Sequence, residues 1–176
     1  LERDIIHADE IPCQVLKEEG KTAQSKSYNS CMAPEMTGCR RSVCMITSPA
    51  GADIMWKFLK GFSGYLSCDG FSNYNKLKDV IRCGYLAHIR RYWHDALPGK
   101  PKKSPDRTPA EIGFGYCNQL FELEKEYAGL DADTRKAKRL EMEPAIWEAY
   151  WSWLETVDPA GGSRLAKAVT YAKNQK

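Results

Sequence analysis

Two aspartates, Asp9 and Asp69, each close a short apolar run of the kind that forms a buried strand. Carboxylates at neighbouring strand ends suit chemistry at a phosphodiester. The attacking oxygen must be activated, the leaving oxygen stabilised and the phosphate charge neutralised. Two divalent ions roughly 4 Å apart do all three when carboxylates hold them in a fixed frame. Such ions need several convergent oxygens, so two acids make part of a site, and no comparably placed third acid follows. An Asp at a strand end also closes turns and caps helices, and pattern alone does not separate the two uses.

For both acids to serve one site, their strands must be neighbours in one sheet. Ile5, Ile6 and Ala8 predict a first strand ended by Pro12, with Gln14 to Leu16 continuing after the interruption. Side chains alternate on a strand, so His7 and Asp9 share one face and Glu10 takes the other. Met55, Phe58, Leu59 and Phe62 recur at helical spacing, punctuated by Gly61 and Gly64, and a short strand from Tyr65 to Cys68 leads into Asp69. Val80 to Leu86 reads as a further strand, and Ala87 to Leu97 as a helix rich in arginine and aromatics, the rhythm of a mixed α/β layer.

Pro98 to Pro109 holds four prolines, three lysines and an arginine, the composition of an exposed connection. Ile112, Tyr116, Leu120, Leu123 and Tyr127, and then Trp147, Tyr150, Trp151 and Leu154, predict two antiparallel helices. A third is expected between Asp131 and Glu143, started by an Asp cap and broken at Pro144. The aromatic stripes predict core packing, with base stacking as the alternative.

At 176 residues, one core is the default, and 43% hydrophobic with 28% charged residues is the composition of a globular protein. No apolar stretch approaches the roughly 20 residues that cross a bilayer. Leu1 to Glu10 carries acids where a signal peptide is basic and then apolar, so the expectation is a cytoplasmic protein without a membrane partner. Seven cysteines without Cys-x-x-Cys spacing predict neither a disulfide framework nor a zinc knuckle. A formal charge of +3 permits a nucleic-acid partner without requiring one.

The residues around the acids are more specific. The run His7, Ala8, Asp9, Glu10, Ile11, Pro12, Cys13, Gln14, Val15, Leu16 resembles the first catalytic segment of the insertion-sequence-66 family of transposases, which typically has Thr where Ile11 stands. Phe58 to Leu66, then Cys68, Asp69, Gly70 and Tyr74 to Leu77, resembles the second. Arg82, Cys83, Gly84, then Leu86, Ala87, His88, Ile89, Arg90, Arg91, Tyr92, resembles the third. Tyr116, Cys117, Asn118 and the stretches Gly162 to Leu165 and Ala168 to Ala172 are similar to that family's helical insertion.

The resemblance implies an α/β fold with a ribonuclease-H-like mixed sheet, flanking helices and an α-helical insertion. It places the catalytic core at 1–97, a linker at 98–109 and the insertion at 110–176. In such a core Asp, Asp and Glu bind two Mg2+ ions and cut, then rejoin, double-stranded DNA at element ends, with a second copy or a full-length transposase as further partner. Asp9 and Asp69 correspond to the first two acids, as catalytic residues and metal ligands. His88, Arg90 and Arg91 match family positions suited to neutralising DNA backbone charge. The bland alternative is a satisfied histidine at a strand-to-helix junction and arginines on a solvated face.

Two departures bear on activity. The family's third acid lies beyond the helical insertion, and this chain ends at Lys176 before reaching it. Glu141, Glu143, Glu148 and Glu155 fall inside the insertion and read as its solvated face. Mg2+ is therefore expected to bind weakly or not at all, and the phosphate not to be held in line. The resemblance also lapses between Asn29 and Trp56, where four of the five methionines and three of the seven cysteines sit. Borrowing the last base of each codon for the next across Val43 to Met55 permits a reading similar to the family's strand and loop. Two compensating indels would account for this, and coding DNA in one uninterrupted frame would refute them. Arg40 and Arg41 would then need accommodation near a sheet, making folding marginal. The expectation is a truncated, inactive copy of a DNA transposase catalytic domain. The rivals are a fragment that binds DNA or transposase without chemistry, and a non-functional remnant of a decayed mobile element.

Overall fold

The computed structural model describes residues 5–14, 26–34, 44–48, 59–70, 74, 77–99 and 105–176. They fall into two compact units, Leu1–Tyr85 and Leu86–Lys176. The break lies just ahead of the arginine-rich helix, which groups with the later helices.

The first unit is a mixed sheet built on period-two burial. Its strands are β1 (Ile5–Gln14), β2 (Lys26–Pro34), β3 (Cys44–Ser48), β4 (Gly64–Cys68) and β5 (Val80–Gly84), in the order β3-β2-β1-β4-β5. β1 runs parallel to β4, and β4 to β5, while β2 lies antiparallel to β1 and β3. Ile6, Ala8, Leu66 and Cys68 are buried together with Leu59, Phe62 and Tyr74. Burial of each large member of this set contributes about 1.5–3 kcal/mol. Leu59 and Phe62 are set by a tight turn in which the Phe62 N–H donates to the Leu59 carbonyl at 3.0 Å. Gly61 holds φ +81 inside it, a backbone state that side chains disfavour.

Three expectations for this unit change. β1 is not ended by Pro12 but runs to Gln14, with Pro12 opposite Tyr28 of β2. Its parallel pairing with β4 stops at Ala8↔Cys68, so beyond that rung no strand among the described residues pairs with that side of β1, where a proline's missing N–H is tolerated. The helix expected to end at Phe62 is a turn over its described residues, while Met55 to Phe58 lie outside them. So do Val15, Leu16, Arg40 and Arg41. The stretch where the family resemblance lapses supplies most of β2 and all of β3. β5 ends at Gly84, two residues earlier than expected.

The second unit contains α1 (Leu86–Asp95), α2 (Pro109–Tyr127), α3 (Ala132–Glu155) and α4 (Arg164–Lys173). Three starts are fixed by side-chain caps, each contributing about 1 kcal/mol. Thr108 and Glu111 form a reciprocal capping box ahead of Pro109, Asp131 accepts from the N–H groups of Asp133 and Thr134, and Ser163 accepts from Ala166. The core holds Ile89, Trp93, Cys117, Tyr150, Leu154, Ala168, Val169 and Ala172. Trp93 Nε1 donates to Tyr150 Oη at 3.0 Å inside it. A Cβ on Gly113 would stand 2.5 Å from the Trp93 indole, so the close approach of α1 and α2 requires glycine there.

The aromatic stripes are core, as expected, with Trp147 and Trp151 half-buried at its margin and stacked at 5.6 Å. The expected break at Pro144 does not occur, because α3 continues through it. Proline inside a helix costs about 3 kcal/mol. Burial of Tyr150 and Leu154 on the later turns, good helix formers on the earlier ones and the Asp131 cap offset that cost. The Arg139 guanidinium of α3 donates to Glu124 of α2 at 2.6 Å across the short connection. Among the described residues, no helix is long and apolar enough to cross a membrane.

Candidate active site

The parallel ladder between β1 and β4 pairs Ile5 with Tyr65, Ile6 with Leu66, His7 with Ser67 and Ala8 with Cys68. Asp9 is the next residue of β1, and Asp69 directly follows β4. Neighbouring strands lie about 4.8 Å apart, so the two aspartates leave the backbone at the same level. Asp9 does not close its strand as the sequence suggests, because pairing with β2 carries β1 on to Gln14. Ile6, Ala8, Leu66 and Cys68 occupy the buried face, which assigns His7, Asp9, Ser67 and Asp69 to the other face by alternation. Both acids are half-buried. The two acids that the sequence singles out thus occupy neighbouring backbone positions, one rung past the last pair of the ladder.

A residue that the sequence reading passes over completes this end of the sheet. Gly84 of β5 pairs with Cys68, so Tyr85 stands level with Asp69. Its hydroxyl reaches the Ser67 carbonyl at 2.9 Å and the Ala8 carbonyl at 3.3 Å. Its ring stacks on His7, with centroids 6.3 Å apart and planes 10° from parallel. Burial pushes the Tyr85 hydroxyl up to about 12, and the nearby Asp9 carboxylate adds to the rise. Near neutral pH it is a protonated donor. No spacing signal marks this position, since an aromatic between a strand and a helix ordinarily reads as packing.

The three basic residues lie in the helical unit, on α1. His88 is half-buried and Arg91 exposed. Arg90 Nε donates to Asn118 Oδ1 at 2.7 Å, and its guanidinium lies 4.6 Å from the centre of the Phe114 ring and 5.4 Å from that of Phe121. Arg90 is thereby held by α2, neither a bare cation nor a member of a fully solvated face. Cys117, next to Asn118, is buried, which pushes its thiol up to about 12 and leaves it unreactive. Tyr116 packs edge-on to Tyr150 at 5.6 Å.

Across residues 1–176 the chain matches the model of the IS66 family of transposases. It belongs to that family. An uncharacterized protein, y4qI, of Sinorhizobium fredii is 30% identical over 139 residues, covering 72% of this chain and 25% of that protein. The IS66 chain therefore spans a quarter of that relative's length. No solved structure matches it.

In the IS66 chain, no group of three or more His, Cys, Asp and Glu side chains converges among the described residues to hold a metal ion. The donor set offered by β1 and the end of β4 is a carboxylate pair. Mg2+ is commonly held by one or two carboxylates, with water and phosphate oxygens filling the rest of its octahedron. Asp9 and Asp69 fit one such ion on chemistry and placement, and a second ion needs further oxygens.

Proposed function

We propose that this chain carries two of the acidic ligands of a transposase centre that cuts and rejoins double-stranded DNA at element ends. The observation that carries the reading is the placement of Asp9 and Asp69 on adjacent parallel strands, at one level and on the face opposite the core. Membership of the IS66 family gives that pair its chemical meaning. A ribonuclease-H-like core over 1–97, a linker at 98–109 and a helical insertion over 110–176 is the organisation that goes with it. The mixed sheet supports it, with one acid on the central strand and the other on that strand's parallel neighbour.

Mg2+, when bound, would neutralise phosphate charge and help ionise the attacking water or DNA 3′ hydroxyl. The chain's own contribution is positional. Asp9 and Asp69 present oxygens from a hydrogen-bonded frame, so little reorganisation is needed as the phosphate enters. Arg91, exposed on α1, is suited to a backbone phosphate, with His88 beside it, while Arg90 would act through its packing on α2. Two carboxylates hold the ion weakly, so cleavage requires a third acid to join them and the pair alone is inactive. The cytoplasm is the proposed location, as the compartment where the chain would meet double-stranded DNA.

Mn2+ titration followed by electron paramagnetic resonance tests the pair. Wild-type chain should bind weakly, and Asp9→Asn and Asp69→Asn should each abolish binding. In a chain that also carries the third acid, Asp69→Asn should remove DNA nicking while leaving DNA affinity nearly unchanged. Nicking retained by Asp69→Asn would take that residue out of the site. Salt-dependent DNA binding with no Mg2+-dependent nicking would mark a binding module instead.

A further inference from the structure

We infer that Tyr85 is a positioning residue for the carboxylate pair, its hydroxyl clamping β1 to the end of β4 beside Asp9 and Asp69. The inference rests on the two-carboxylate reading and deepens it.

The ladder that aligns the two acids is short, running from Ile5↔Tyr65 to Ala8↔Cys68. Past it, β1 continues alongside β2, whereas β4 has ended. The acids therefore sit where two strands part company, and a small splay there changes the separation of their carboxylates. The Tyr85 hydroxyl lies at this point, within hydrogen-bond distance of Ser67 O on β4 and Ala8 O on β1. Both partners are carbonyls, so they share the one hydroxyl proton, with the shorter bond to Ser67, and phenylalanine lacks that donor.

The Ala8 carbonyl belongs to the peptide plane that carries the Asp9 nitrogen. Because that plane is rigid, fixing its oxygen limits the direction in which Asp9 leaves the strand. The Ser67 carbonyl lies two residues before Asp69. Stacking on His7 fixes the ring from the same face, so the hydroxyl is aimed at both carbonyls together. Tyr85 itself comes from the end of β5, and it reaches across β4 to β1. All three parallel strands are tied at the level of the acids by one side chain.

The test compares Mn2+ affinity in the full 176-residue chain. Tyr85→Phe keeps the ring and removes the clamp. Its affinity should fall about 10-fold or more, the range for losing a group that orients a metal ligand, with circular dichroism unchanged. Val80→Ala loosens the same core away from the acids and should leave affinity within about twofold, separating positioning from general destabilisation. If Tyr85→Phe binds as tightly as wild type, or Val80→Ala loses as much as Tyr85→Phe, the inference is overturned while the carboxylate reading stands. If wild type binds no better than Asp9→Asn, the carboxylate reading itself fails. A wild-type measurement stands in should Tyr85→Phe not fold. At saturation, paramagnetic Mn2+ should broaden the Tyr85 and His7 ring resonances, and sharp resonances from both would overturn the inference.

Discussion

In the sheet unit, the residues shared with the family alternate between a buried face, where Ile6, Ala8, Leu66 and Cys68 lie, and an opposite face bearing His7, Asp9 and Asp69. In the helical unit, the family-like residues of α2 turn inward, while Arg91 of α1 stays exposed. Tyr116 packs on Tyr150, Cys117 is buried, and Asn118 accepts from Arg90. One family signature therefore records two physical tasks. In the sheet it marks groups on and just past two inner strands, and in α2 it marks groups that close a core. A motif tells which side chains matter, while burial tells what they do.

Three measurements press on this contrast. The largest effect is expected for Leu66→Ala, which empties the centre of the smaller core and should cost about 2–5 kcal/mol. Four of the five tryptophans lie in the helical unit, so tryptophan fluorescence follows that unit and Mn2+ binding follows the sheet. Leu66→Ala should abolish Mn2+ binding and spare the tryptophan transition in denaturant. A shift of both would show that the two units melt as one.

Gly113→Ala reverses the pattern. Its methyl would collide with the fully buried Trp93 ring, and overpacking of this kind costs about 1–3 kcal/mol. The tryptophan transition should move to lower denaturant with Mn2+ affinity unchanged. An unshifted transition would mean that α1 and α2 have room to part.

The smallest effect is a pH response of the helical unit. The hydrogen bond from Arg139 holds the Glu124 carboxyl below its usual value of 4.5. A carboxylate depressed by folding stabilises the native state above its unfolded value and loses that contribution as pH falls below it. Glu155 and Asp131 are depressed by their own partners and act in the same direction, while burial raises Glu143 and acts against them. The tryptophan transition should therefore weaken as pH drops through about 4.5, and Glu124→Gln should flatten the response slightly, since solvent screens an exposed pair. Identical acid profiles for the two chains would remove Glu124 from the account.

Much of this organisation was legible in the sequence, for local reasons. Alternation of Ile6 and Ala8 with His7 and Asp9 is a property of one strand, and the Asp131 cap is a property of one turn. The misread features depend on what lies alongside. Pro12 is tolerated because it lies beyond the last rung that β1 shares with β4, and Pro144 because the later turns of α3 are anchored by Tyr150 and Leu154. Tyr85 shows its position only when three strands are assembled, and Arg90 shows its partners only when α1 meets α2. At the candidate site, strand patterning pointed to the two apolar runs that carry the acids, but to neither the continuation of β1 past Asp9 nor the Tyr85 hydroxyl beside it.

The missing side chain at position 113 has an evolutionary corollary. Hydrogen there and an indole at position 93 divide a fixed volume between two helices, so relatives that enlarge the first must shrink the second. Substitutions at the two positions should be inherited together, and a lineage carrying alanine at 113 should show a smaller ring or an aliphatic chain in place of the indole.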